Sequence, residues 1–242
     1  MRNFFAALQF ITILPGGGQM KFEPPAMVQF FPVVGLLLGA IVSSFDLVAQ
    51  HVWPPSTTAL LDVLVLVFLT GAFHLDGLGD AADGLYGHRR KETALAIMKD
   101  SRIGVMGLVA IICTLSVKWS GIAGLDESRN MYLFVIPAYA RLSILFGMRC
   151  LTYGRPNGGT GKPFFEHKIK PRAFWSLPIL IGLSVFLGWK GILLNIAFMV
   201  VVTVMLVYYK RKLNCITGDM LGAMTEITES GLFLVASASW VS

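Results

Sequence analysis

The sequence predicts an all-α fold, a polytopic transmembrane helix bundle of about seven spans plus an N-terminal interfacial or re-entrant helix. Two observations carry this. Mean hydropathy is +0.68, and only 14% of the 242 residues are charged while 55% are hydrophobic. A soluble domain carries about 25% charged residues. The second is the distribution of the cations. Arg2 and Lys21, then Arg89, Arg90, Lys91, Lys99 and Arg102, then Arg149 to Arg172, then Lys210 to Lys212 all fall in alternate connections. Only Arg129 and Lys190 lie in the others, and Lys118 and Arg141 fall inside spans. By the positive-inside rule the crowded side is cytoplasmic, which puts the N-terminus inside and the C-terminus outside.

In chain order, the apolar run Phe4 to Leu14 is too short to cross a bilayer and is followed by Pro15 and glycines, so an interfacial or re-entrant helix is expected. The seven spans are Met27 to Ala49, Thr57 to Phe73, Ile103 to Leu125, Met131 to Leu151, Ala173 to Gly188, Gly191 to Tyr209 and Met220 to Val241. The fifth is short, and the seventh carries Glu226 and Glu229. Trp53, Trp175, Trp189 and Trp240 lie near span ends, where aromatic belts form. Cys113, Cys150 and Cys215 have no metal-binding or disulfide spacing and read as small hydrophobes. The whole of 1–242 reads as one integral membrane catalytic domain. The net charge of +6 is explained by orientation and by anionic lipid or substrate, so no nucleic-acid partner is expected.

The chemistry concentrates between Phe73 and Gly107. Asp76, Asp80 and Asp83 stand at i, i+4 and i+7, one face of a helix, and Asp100 follows. Stacked carboxylates repel and call for a cation, and hard oxygen ligands favour magnesium or manganese. Arg89, Arg90, Lys91, Lys99 and Arg102 supply donors suited to phosphate oxygens. Acidic ligands followed by basic clamps read as a site for a metal-bound diphosphate. His74 precedes the acids and is a candidate ligand or positioning donor.

Two further segments converge on the same side. The glycine-rich stretch from Arg155 to Lys162 fails as a P-loop because Pro156 and Pro163 occupy required positions, yet Arg155 and Lys162 suit a phosphate or nucleotide. Thr217 to Ala223 is followed by Glu226 and Glu229, with Asp219 and Glu226 on one helix face. Acids inside a span usually face the bundle interior and act. Asp219 is expected to complete the metal site, Glu226 to hold Arg141 or a substrate hydroxyl, and Glu229 to pair with an intramembrane base or lie nearer the interface. Arg141, mid-span, needs an acid or a substrate phosphate as partner.

The blocks HLDGLGDAADG, IMKDSRIGVMG and TGDMLGAMTE, with LQFITILP near the start, resemble those of the cobalamin synthase family, the adenosylcobinamide-GDP ribazoletransferases of cobamide assembly. The resemblance implies a magnesium-dependent enzyme of the bacterial inner membrane with its active site facing the cytoplasm. It implies two substrates, adenosylcobinamide-GDP and α-ribazole or its 5'-phosphate, and release of GMP. In its terms Asp76, Asp80 and Asp83 hold magnesium, Lys99 and Arg102 screen the non-bridging oxygens, and Asp100 or Asp83 is the general base. Further partners are membrane lipid and either a second copy of the chain or other enzymes of cobamide assembly. A CDP-alcohol phosphotransferase is the alternative, though its AR pair and second D-x3-D are missing; a transporter is a third, without an inverted repeat to support it.

Overall fold

The computed structural model describes residues 2–16, 23–125, 128–155, 158–159 and 161–239. Two prolines open the first long helix, where a missing N–H is harmless. It runs as α2 over Pro24–Ala49, with one 3-10 turn at Val28–Phe30. Before it, the short amphipathic α1, Arg2–Ile11, buries Ala6, Ala7, Leu8 and Ile11. Trp53, Pro54 and Pro55 turn the chain into α3, Pro55–Thr70.

At Gly71 (φ 59°) and Ala72 (φ 56°) two successive left-handed residues break the helix. The next helix, α4 over Phe73–Leu85, leaves at 91° to α3. The expected second span therefore ends at Thr70 and does not reach Phe73. Short α5, Lys91–Ile97, leads to α6, Val105–Ala123, and α7, Arg129–Cys150. After a connecting segment come α8, Pro171–Leu187, α9, Trp189–Lys212, and α10, Gly218–Ala236.

Among the described residues each of the seven apolar stretches is helical over most of its length. Four helices among them (α2, α6, α7 and α9) are long and apolar enough to cross a membrane, and α3 with α4 makes a fifth if the bent pair is one span. The other two are the short α8 and α10, whose acids Asp219, Glu226 and Glu229 lie in a largely buried helix. Trp240 falls outside the described residues.

α7 is buried along most of its length and forms the centre. α2 lies against it through Gly35 and Gly39, where a Cβ would collide with the backbone of Pro137, Ala138 and Phe134, the small-xxx-small approach of membrane helices. By contrast α6 exposes Val105, Leu108, Val109 and Ile112, and α9 exposes Ile192, Ile196, Val200 and Val204. Apolar side chains outside and charged ones within suit a lipid solvent.

At one end of the bundle Arg129 ties three helices together. Its Nε donates to Asp46 Oδ1 at 2.8 Å, its Nη2 to Asp62 Oδ2 at 2.9 Å and its Nη1 to the Ile122 carbonyl at 2.6 Å. Read as a loop cation in the sequence, it is instead the first residue of α7 and a buried cross-link. Towards the other end, Gly154 N donates to the Ile216 carbonyl at 2.8 Å and Ile216 N to the Thr152 carbonyl at 2.9 Å. This isolated bridge fastens the chain leaving α7 to the chain entering α10.

Candidate active site

α4 and α10 meet backbone to backbone. A Cβ on Gly77 would lie 2.9 Å from the Asp219 carbonyl oxygen, and one on Gly222 would lie 3.0 Å from that of His74. Larger residues at either position would drive the helices apart. The close crossing brings Asp219 to the acidic face of α4. Asp219, Asp76, Arg155 and Asp83 all lie within electrostatic reach of Asp80.

The four carboxylates are not equivalent. Asp83 accepts from the backbone N–H of Gly104 at 2.7 Å and of Gly107 at 2.9 Å. It thus caps the N-terminus of α6 from a distant helix, where an anion is favoured. A Cβ on either glycine would collide with that carboxylate, which explains two glycines in the IMKDSRIGVMG block. Asp219 accepts from Arg155 Nη2 at 2.7 Å and from the Thr217 hydroxyl at 3.2 Å. Thr217 also caps α10, accepting from Met220 N at 3.2 Å. The side chains of Asp76 and Asp80 have no hydrogen bond or ion pair among the described residues. They are the carboxylates left for a ligand.

Asp100, a candidate base, lies apart on the exposed turn before α6. Arg102 grips it through Nε at 3.0 Å, Nη2 at 2.6 Å and its backbone N–H at 3.1 Å. These hydrogen bonds push the Asp100 carboxyl down to about 2 and raise the Arg102 guanidinium. A carboxylate so held is a weak base at neutral pH, and Arg102 is engaged by it. Lys99 and Lys162 are exposed, Lys162 opening the 3-10 turn Lys162–Phe165.

Two expected substrate contacts point elsewhere. Arg141 is buried and pairs with Glu229, its Nη1 also reaching the Pro137 carbonyl at 3.2 Å. Glu226 pairs with Lys118 at 2.6 Å, and Lys118 also reaches Glu229 at 2.6 Å. Hence Glu229, not Glu226, holds Arg141, and both acids are spent on intramembrane cations. The pairing of Glu229 with an intramembrane base is as the sequence predicts, and charge counting extends it to Glu226: Lys118 and Arg141 inside spans need two acids, and α10 offers two. His74 is buried with both ring nitrogens unpartnered among the described residues. The Arg129 cross-link and the tethering of Asp83 left no local pattern, since each joins residues far apart in the chain.

Among the described residues, no three His, Cys, Asp or Glu side chains are gathered to hold a metal. Magnesium rarely needs such a cage, because it keeps waters and takes one or two carboxylates plus substrate phosphates. Unpaired Asp76 and Asp80, with Asp219 beside Asp80, fit that donor chemistry.

Comparison with known proteins gives one consistent result. The family described as cobalamin-5-phosphate synthase matches residues 3–237. The chain is 36% identical over 242 residues to an adenosylcobinamide-GDP ribazoletransferase of Alkaliphilus metalliredigens, covering 97% of this chain and 94% of the relative. It is also 36% identical over 249 residues to the one of Chlorobaculum tepidum, covering 100% of this chain and 96% of that protein. No solved structure matches it.

Proposed function

The chain belongs to the cobalamin-5-phosphate synthase family, and from that premise we propose how its acidic face does the family's work. The protein joins adenosylcobinamide-GDP to α-ribazole, or its 5'-phosphate, and releases GMP. A ribose hydroxyl attacks the cobinamide-side phosphorus. The new P–O bond forms, the P–O bond to GMP breaks, and the hydroxyl proton passes to a carboxylate.

The observation that carries this assignment is the pair of unpartnered carboxylates, Asp76 and Asp80, where α4 crosses α10. They would hold magnesium, which when bound supplies positive charge to a diphosphate as its P–O bond breaks. Arg155, already at Asp219, is placed to turn its guanidinium to a phosphate oxygen, a bidentate match for that geometry. Exposed Lys99 and Lys162 are further cations available to phosphate oxygens. Asp83 acts by seating the start of α6 through its two backbone hydrogen bonds. A cytoplasmic opening in a bacterial inner membrane is supported by the cations clustered on this side of the chain.

The test is direct. Purified protein in detergent, given adenosylcobinamide-GDP, α-ribazole and magnesium, is expected to release GMP, to stop when the metal is chelated and to resume when magnesium returns. GMP release unaffected by chelation would overturn the metal assignment. No GMP from any ribazole substrate would overturn the reaction.

A further inference from the structure

On the cation-rich side of the bundle the connection from α7 runs into α8 through Lys168, Ile169, Lys170, Pro171 and Arg172. Ile169 and Ala173 are buried and fix this stretch to the bundle, while Lys168, Lys170 and Arg172 are exposed. These three cations border a recess of about 250 Å³, closed on its other side by Pro25, Ala26 and Gln29 at the start of α2. Lys168 and Lys170 also border a broader hollow of about 500 Å³, which Arg149 in the last turn of α7 lines as well. Glu23 and Glu166, the nearest acids in the chain, line neither space. None of the four cations has an ion pair among the described residues.

Cations gathered without a counter-charge favour an anion between them, and the surroundings say which anion. Trp175, early in α8, is exposed and packs edge-on against Phe30 of α2 at 6.0 Å, the place of an aromatic ring at a membrane surface. Beyond it α8 exposes Ile179, Ile181, Val185 and Phe186, a face for acyl chains. The recess is smaller than the roughly 300 Å³ at which pockets that enclose a whole small ligand begin. It suits a polar head whose remainder lies outside, and the lipid-facing side of α8 starts beside it. A soluble phosphate would use the cations and leave the aromatic and apolar rim without a role.

We propose that Lys168, Lys170 and Arg172 bind the phosphodiester head of an anionic glycerophospholipid, with Arg149 as a further cation across the ridge and the acyl chains lying along α8. Basic recesses between spans hold such heads in membrane proteins. The site shares no residue with the Asp76 and Asp80 face and does not depend on the ribazoletransferase reading.

Native mass spectrometry of the full chain in detergent tests it, titrated with phosphatidylglycerol or with phosphatidylcholine, which carries the same phosphodiester and no net charge. The wild-type protein is expected to prefer phosphatidylglycerol by about tenfold or more, at about fivefold per cation. Lys168→Gln with Lys170→Gln should lose most of that preference. Lys210→Gln with Arg211→Gln removes the same charge from the last turn of α9 and should keep it. Both pairs are exposed, and surface substitutions of this kind leave folding nearly unchanged. No preference in wild type, or the same preference in wild type and the Lys168→Gln, Lys170→Gln protein, overturns the site. An equal loss in both double variants also overturns it, because general surface charge would then attract the lipid. The bound lipid should survive equimolar inorganic phosphate; its displacement would make this a site for soluble phosphate and overturn the lipid assignment.

Discussion

Glu226→Gln separates a structural acid from a chemical one. Lys118 and Arg141 face Glu226 and Glu229 inside the bundle, two cations against two acids, all nearly inaccessible to solvent. Removing Glu226 leaves one positive charge without compensation. Breaking a buried pair in this way costs about 3–5 kcal/mol, and in a chain of this size each kcal/mol moves Tm by roughly 2–4 °C. The variant should therefore melt roughly 6–20 °C below wild type. Glu229→Gln should fall at least as far, since Glu229 serves both cations. A double variant, Lys118→Met with Glu226→Gln, removes one charge of each sign, leaves Arg141 with Glu229, and should recover most of the loss. The assay is a thermal melt in detergent, paired with GMP release per folded molecule at a temperature below all the transitions. A Glu226→Gln protein that melts like wild type but has lost turnover would refute this reasoning and return Glu226 to the reaction.

Three other expectations follow from the site. Asp76→Asn and Asp80→Asn should each lower turnover by about a hundredfold or more with little change in melting, because they remove unpartnered carboxylates; near-normal rates in both at limiting magnesium would refute the assignment. Asp83→Ala should cost about 1–2 kcal/mol through loss of the α6 cap, read as a lower Tm, and an unchanged melt would mean the Gly104 and Gly107 contacts contribute nothing. Because Arg102 holds the Asp100 carboxyl near 2, Asp100 stays charged across the working range, and its contribution is lost only as pH falls from about 4, the ordinary carboxylate value, to about 2. Asp100→Asn should leave the acid limb of the pH–rate profile in place, and a shifted limb would make Asp100 the base after all.

Much of this organisation was legible in the sequence. Hydropathy located every long helix, and the i, i+4, i+7 aspartates marked the face that α10 packs beside. The kink at Gly71 and Ala72 was not, because an alanine at positive φ is rare and no residue pattern announces it. The apolar run was accordingly carried through to Phe73, although Phe73 starts a helix at 91° to the span before it. The close approach at Gly35 and Gly39 became visible only in the packed bundle, because the spacing of two glycines does not name the surface they meet. Asp83 looked equal to Asp76 and Asp80 because spacing alone cannot show that Gly104 and Gly107 have already taken its oxygens. Long-range pairing sorted the acids, and pairing of that kind is a property of the packed bundle.

That sorting has a further consequence for how charge is arranged. Below the crossing of α4 and α10, Glu226 and Glu229 meet Lys118 and Arg141, two acids against two cations. At the crossing the balance ends. Asp83 is satisfied by backbone dipoles and Asp219 by Arg155, leaving Asp76 and Asp80 as excess negative charge. Such a surface repels a bare diphosphate, since like charges at these separations disfavour each other strongly where water is partly excluded. The same surface attracts a diphosphate that arrives with a divalent cation. On the proposed reading the unbalanced acids thus select for the charge state of the substrate, and the paired acids Glu226 and Glu229 fasten α10 to α6 and α7 beneath them.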